Sequence, residues 1–81
     1  MFSAKLNVNY YWRKTINIIK ESFTECKIER SEDDNVIIID IMKNLKSCEI
    51  KFENTQCFLN GEKIDASNII EKINFSMMDK S

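Results

Sequence analysis

The sequence predicts an α+β fold, an antiparallel four- to five-stranded meander packed on a long helix, from three observations. Apolar residues recur with a helical period between Trp12 and Cys26, side chains alternate strictly over residues 47–53, and Asn60-Gly61 is the strongest short hairpin signal a chain can carry. With 81 residues there is room for one core, so residues 1–81 read as a single α+β domain.

Over residues 2–8, Phe2, Ala4, Leu6 and Val8 alternate with Ser3, Lys5 and Asn7, the period of a half-buried strand. Asn9 then offers an N-cap. Trp12, Ile16, Ile19, Phe23 and Cys26 follow at helical spacing, while Arg13, Lys14, Asn17, Lys20, Glu21 and Glu25 take the other face. Glu21 and Glu25 crowd the C-terminal end, where the helix dipole disfavours anions, so the apolar stripe must hold this helix. Residues 27–30 form a weak strand and 31–35 a polar turn. Residues 36–42 are apolar on both faces except at Asp40, which suits a strand inside the sheet.

Residues 43–46 turn the chain into strand 47–53, with Cys48, Ile50 and Phe52 facing inward. Asn54 and Thr55 lead into strand 56–59. Asn60-Gly61 then needs positive φ at both residues of a type I′ turn, and residues 62–64 close that hairpin. Asp65 or Ser67 caps a last helix whose Ile69, Ile70, Ile73 and Met77 share a face. The order is β-α-β-β-β-β-α, with a very short extra strand after Asn60-Gly61. In outline this is similar to cystatin-like folds, in which a strand precedes a helix gripped by a meander. That likeness is of topology only and implies no function. A helix, three strands and a second helix also resemble the layout of double-stranded RNA-binding domains. Here, though, Asp65-Ala66-Ser67-Asn68 stands where a basic cluster opens their last helix.

The chemical inventory argues against an enzyme. Without histidine the commonest general base is missing, and so are Ser-His and Cys-His pairs. The single glycine lies in a hairpin turn, which leaves no glycine-rich phosphate loop, and no cofactor is expected. Asp40 could be held in an unusual environment but reads as a solvent-facing residue. Glu32-Asp33-Asp34 lacks the spaced ligands and central glycine of a calcium loop, so no metal is expected either. Cys26, Cys48 and Cys57 are odd in number and far apart, with no CxxC pair, which predicts free thiols in a reducing cytoplasm. No continuous apolar leader opens the chain and no apolar run is long enough to span a bilayer.

Charge is segregated along the chain. Residues 1–20 carry Lys5, Arg13, Lys14 and Lys20 and no acid. Residues 21–40 carry Glu21, Glu25, Glu29, Glu32, Asp33, Asp34 and Asp40 against Lys27 and Arg30. An acidic end can steer encounter with a basic surface on another protein, with Glu29, Glu32, Asp33 and Asp34 as the contact residues. The abundance of Ile, Asn and Lys, whose codons are AT-rich, associates the chain with a phage or other mobile element. Small acidic proteins from such elements often inhibit host or defence machinery, and that is the function expected here. The alternative is a nucleic-acid binder that uses Tyr10, Tyr11, Arg13, Lys14 and Lys20, because basic groups interleaved with aromatics can stack bases while tracking a backbone. Phe75, Met77 and Met78 at the end of the last helix cannot all be buried by one helix face, which suggests an edge for a homodimer or another partner.

Overall fold

The computed structural model describes residues 7–31 and 35–78. Five antiparallel strands follow a pair of N-terminal helices in the order β1-β2-β3-β4-β5, so that every strand pairs with its neighbour in sequence, and a C-terminal helix completes the fold. The strands are β1 Cys26–Arg30, β2 Val36–Lys43, β3 Lys46–Glu53, β4 Gln56–Leu59 and β5 Glu62–Ile64; the helices are α1 Val8–Tyr11, α2 Arg13–Ser22 and α3 Ile69–Ser76. The α+β class and the antiparallel meander are as the sequence predicts. The strand expected over residues 2–8 lies mostly outside the described residues, but Val8 opens α1 and is fully buried.

The helical stripe forms, with two differences at its ends. Asn7, not Asn9, is the N-cap, and its side chain accepts from the Tyr10 N–H at 3.1 Å. This places Val8 in the first turn, on the same side as Trp12. At the other end the helix stops at Ser22. Phe23 is already extended, so Cys26 belongs to β1 and not to the stripe. Between α1 and α2, Trp12 departs slightly from helical geometry, yet its N–H still reaches Val8 O and its carbonyl still accepts from Ile16 N–H.

Trp12 joins the helical layer to the sheet. Its indole Nε1–H donates to Asn54 O at 2.7 Å, and its ring lies 4.7 Å from that of Phe52, centroid to centroid. Below it the core is formed by Ile16, Ile19 and Phe23 from the helix, Ile37, Ile39 and Ile41 from β2, Cys48, Ile50 and Phe52 from β3, Cys57 from β4, and Ile69, Ile73 and Met77 from α3. Neither Asp65 nor Ser67 caps α3. Asp65 Oδ1 instead accepts the Ser67 N–H in a turn ahead of the helix, and Asn68, in left-handed conformation, is the N-cap residue. The two Ser67 hydrogen bonds hold the Asp65 carboxyl below its ordinary pKa, with a smaller effect from the Lys72 charge.

The reversals explain how a chain with one glycine makes a meander. Asn60 and Gly61 have φ of 51° and 86°, as the type I′ reading requires. Asn44 and Leu45 repeat that pattern with φ of 52° and 67°, and Asn54 opens the β3–β4 turn at 55°. Asparagine reaches this region at little cost because its short side chain hydrogen-bonds locally. Leucine does not, and Leu45 is fully exposed, so no packing offsets its backbone strain. A Cβ built on Gly61 would meet nothing within 4 Å, so any penalty there is backbone strain alone.

These two turns give opposite expectations in urea denaturation. Leu45→Gly should stabilise the protein by about 0.5–1 kcal/mol, the relief of strain being partly offset by a freer unfolded chain. Gly61→Val should cost about 1–3 kcal/mol and Gly61→Asn less than half as much. A Gly61→Val protein as stable as the parent would mean that the backbone does not hold positive φ at this position.

Candidate functional site

All the helices pack against one face of the sheet. In an antiparallel sheet the other face can remain in water, and side chains alternate between the two. Strand register therefore determines what the open face carries. Glu29, Ile38, Lys51, Phe58 and Lys63 form one row across all five strands, since Glu29 pairs with Ile38, Ile38 with Lys51, Lys51 with Phe58, and Phe58 with Lys63. The neighbouring row is Lys27, Asp40 and Glu49, continued by Asn60. Val36 and Met42 lie on the same face of β2, and Glu53 lies opposite Val36.

Much of this face is already engaged internally. Lys27 pairs with Glu29 at 3.4 Å, and Lys51 Nζ sits 5.3 Å from the centre of the Phe58 ring. The Asn60 side chain accepts the Glu49 N–H at 2.9 Å and donates to Ser76 Oγ at 3.0 Å, tying the β4–β5 turn to β3 and α3. Around these contacts a basin of about 660 Å³ opens at one end of the face, lined by Glu25, Lys27, Asp40, Met42, Glu49 and Asn60 among others. Among the described residues no group of carboxylates and thiols is arranged to hold a metal ion.

Of the predicted acidic contact residues, Glu29 is exposed on the open face, while Glu32, Asp33 and Asp34 lie outside the described residues. Ser31, which precedes them in sequence, accepts at its hydroxyl from the N–H groups of Asn35 and Val36, both at 3.2 Å. The basic and aromatic candidates are on the opposite layer. Tyr10, Tyr11, Arg13 and Lys14 come together with Asn17 around a cleft of about 480 Å³; Lys20 is exposed further along α2 and does not line it.

Of the three residues at the predicted C-terminal edge, two are exposed and one is not. Met77 is 8% exposed and belongs to the core, because it continues the spacing of Ile69 and Ile73. Phe75 and Met78 are 64% and 59% exposed, and they line different hollows. Sequence reasoning missed Asp40 and Glu49 as a pair. The signal was available: a two-residue turn at Asn44-Leu45 sets Lys43 opposite Lys46, and three steps back along each strand sets Asp40 opposite Glu49.

The three cysteines are free thiols, Cys48 and Cys57 buried and Cys26 half-buried. Burial raises the Cys48 thiol pKa, with a Ser76 hydrogen bond acting against it and the Glu49 charge adding to it. Burial pushes the Cys57 thiol up to about 11, against the pull of Lys72. Among the described residues no helix is long and apolar enough to cross a membrane. Comparisons with protein-family models, curated proteins and solved structures each give no match for this chain.

The Cys57 shift makes stability depend on pH in the alkaline range. A thiol whose pKa is higher folded than unfolded keeps its proton longer in the folded state, so its contribution is complete below the unfolded pKa and falls as pH rises towards about 11. Between about pH 9 and 11 the parent should lose roughly 2 kcal/mol more than Cys57→Val does. Equal slopes in urea titrations of the two proteins would refute a buried, protonated Cys57.

Proposed function

We propose that this protein is a non-enzymatic protein-binding module, a small inhibitor or modulator of host or defence machinery carried by a phage or mobile element, which works by occupying a basic surface of its target. The observation that carries this reading is the segregation of charge along the chain, basic over residues 1–20 and acidic over residues 21–40. Arg13, Lys14 and Lys20 lie on α2, and Glu29 and Asp40 lie on the open face of the sheet, where Glu49 and Glu53 add to them and Lys27, Lys51 and Lys63 partly offset them. Between β1 and β2 the sequence adds three further acids, Glu32, Asp33 and Asp34. Such a dipole steers approach to a basic partner and turns the acidic side towards it. The absence of histidine from the sequence supports the non-enzymatic part of the proposal.

The cleft of Tyr10, Tyr11, Arg13, Lys14 and Asn17 favours the second reading, a nucleic-acid binder. The two make opposite predictions. For a basic protein target, converting Glu32, Asp33 and Asp34 to Lys should change folding stability by less than about 1 kcal/mol while slowing association sharply, and the parent's on-rate should fall as salt rises. For nucleic acid, Arg13, Lys14 and Lys20 carry affinity and removing the acids strengthens binding. Gel-shift titrations with single- and double-stranded oligonucleotides should show no complex at physiological salt. Micromolar binding that Lys14→Glu abolishes would overturn the protein-binding reading.

A further inference from the structure

We infer that the open face of the sheet is the surface that docks the target, and that its occupant is a segment presenting an arginine or lysine side chain beside an apolar one. This rests on the protein-binding reading and adds to it the surface and the chemistry of the contact. Val36 and Ile38 are half-buried on a face that no helix among the described residues covers, and Met42 is exposed on the same face. Along β2 this face reads Val36, Ile38, Asp40 and Met42, an apolar strip interrupted by one carboxylate. On that strip Asp40 stands directly opposite Glu49 of β3. Like charges in this position destabilise a sheet, and the cation of their row, Lys27, is paired with Glu29.

Among the described residues Asp40, Glu49 and Glu53 make no ion pair with the protein itself. Carboxylates facing each other across adjacent strands are spaced to take one guanidinium between them, each accepting a charge-assisted hydrogen bond. The aliphatic stem of that side chain, or its apolar neighbour, would lie along Ile38 and Met42. At the Asp40–Glu49 pair charge complementarity thus selects a basic side chain, even though Lys51 and Lys63 stand in the next row, and the strip selects an occupant that is also apolar.

The probe is an eight-residue peptide alternating Arg and Val, titrated against the isotope-labelled full chain at low salt and followed by amide shifts. Shifts should cluster at Ile38, Asp40, Glu49 and Phe58. An Arg-Ser peptide of equal charge should bind more weakly, and a Glu-Val peptide should not bind. Converting Asp40 and Glu49 together to Lys should weaken Arg-Val binding about tenfold or more with the spectrum still that of a folded protein. Ile38→Ser should reduce the preference for Arg-Val over Arg-Ser. No shifts at millimolar peptide, or shifts confined to the helix layer, would overturn the inference. Loss of binding on reversing Glu32, Asp33 and Asp34 but not Asp40 and Glu49 would also overturn it, while leaving the acidic protein-binding reading intact. Salt-sensitive self-association in sedimentation that the Asp40 and Glu49 reversal abolishes would assign the face to a second copy and overturn it too.

Discussion

A two-residue hairpin must pass through positive φ, and a chain with one glycine has few residues that do so cheaply. Asparagine fills the gap. Asn44, Asn54 and Asn60 each open one of the three tight reversals between β2 and β5. Because these loops are short, each fixes the register of the strands it joins, and a one-residue slip would move every inward side chain to the wrong face. The burial of Cys48, Ile50 and Phe52, and equally the outward placement of Glu49 and Lys51, follow from where those asparagines stand.

With register fixed, one face of the sheet becomes continuous enough to hold a helix. Trp12 supplies the link, stacking near Phe52 and donating to the carbonyl of Asn54, itself one of the turn residues. The hydrogen bond satisfies the indole N–H of a largely buried ring, and it couples the helical layer to a reversal that also sets the β3–β4 pairing. At the far end, Asn60 does similar work through its side chain, holding Glu49 and Ser76. The turn residues are thus structural twice over, once through backbone conformation and once through what they bond.

Most of the fold was legible because its signals are local. The alternation from Ser47 to Glu53, the stripe from Trp12 to Phe23 and the dipeptide Asn60-Gly61 each say their part within a few residues. The choice between Asn7 and Asn9 as cap was not local, since Val8 is drawn into the helix by burial against the sheet. Asn68 as the N-cap residue of α3 escaped for another reason: its left-handed backbone leaves no capping hydrogen bond to read, while Asp65 and Ser67 look like better caps. Leu45 in left-handed conformation contradicts its own preference, and only pairing on both sides of the turn imposes it. Of the candidate site, the charges were visible in the chain but their arrangement was not. Asp40 and Glu49 are nine positions apart in sequence and become neighbours only through the β2–β3 register.

That register also bears on why the open face looks as it does. An antiparallel sheet with one wet face ordinarily sets polar residues there and opposes unlike charges across its strands. Lys27 opposite Asp40 obeys this rule; Asp40 opposite Glu49 breaks it, and Ile38 is apolar at the centre of its row. Stability alone would favour a cation at position 49 and a polar side chain at 38. Both departures fall on the same face, two positions apart along β2, and neither is relieved by a helix, a turn or an ion pair among the described residues. A basic, partly apolar partner would relieve both at once.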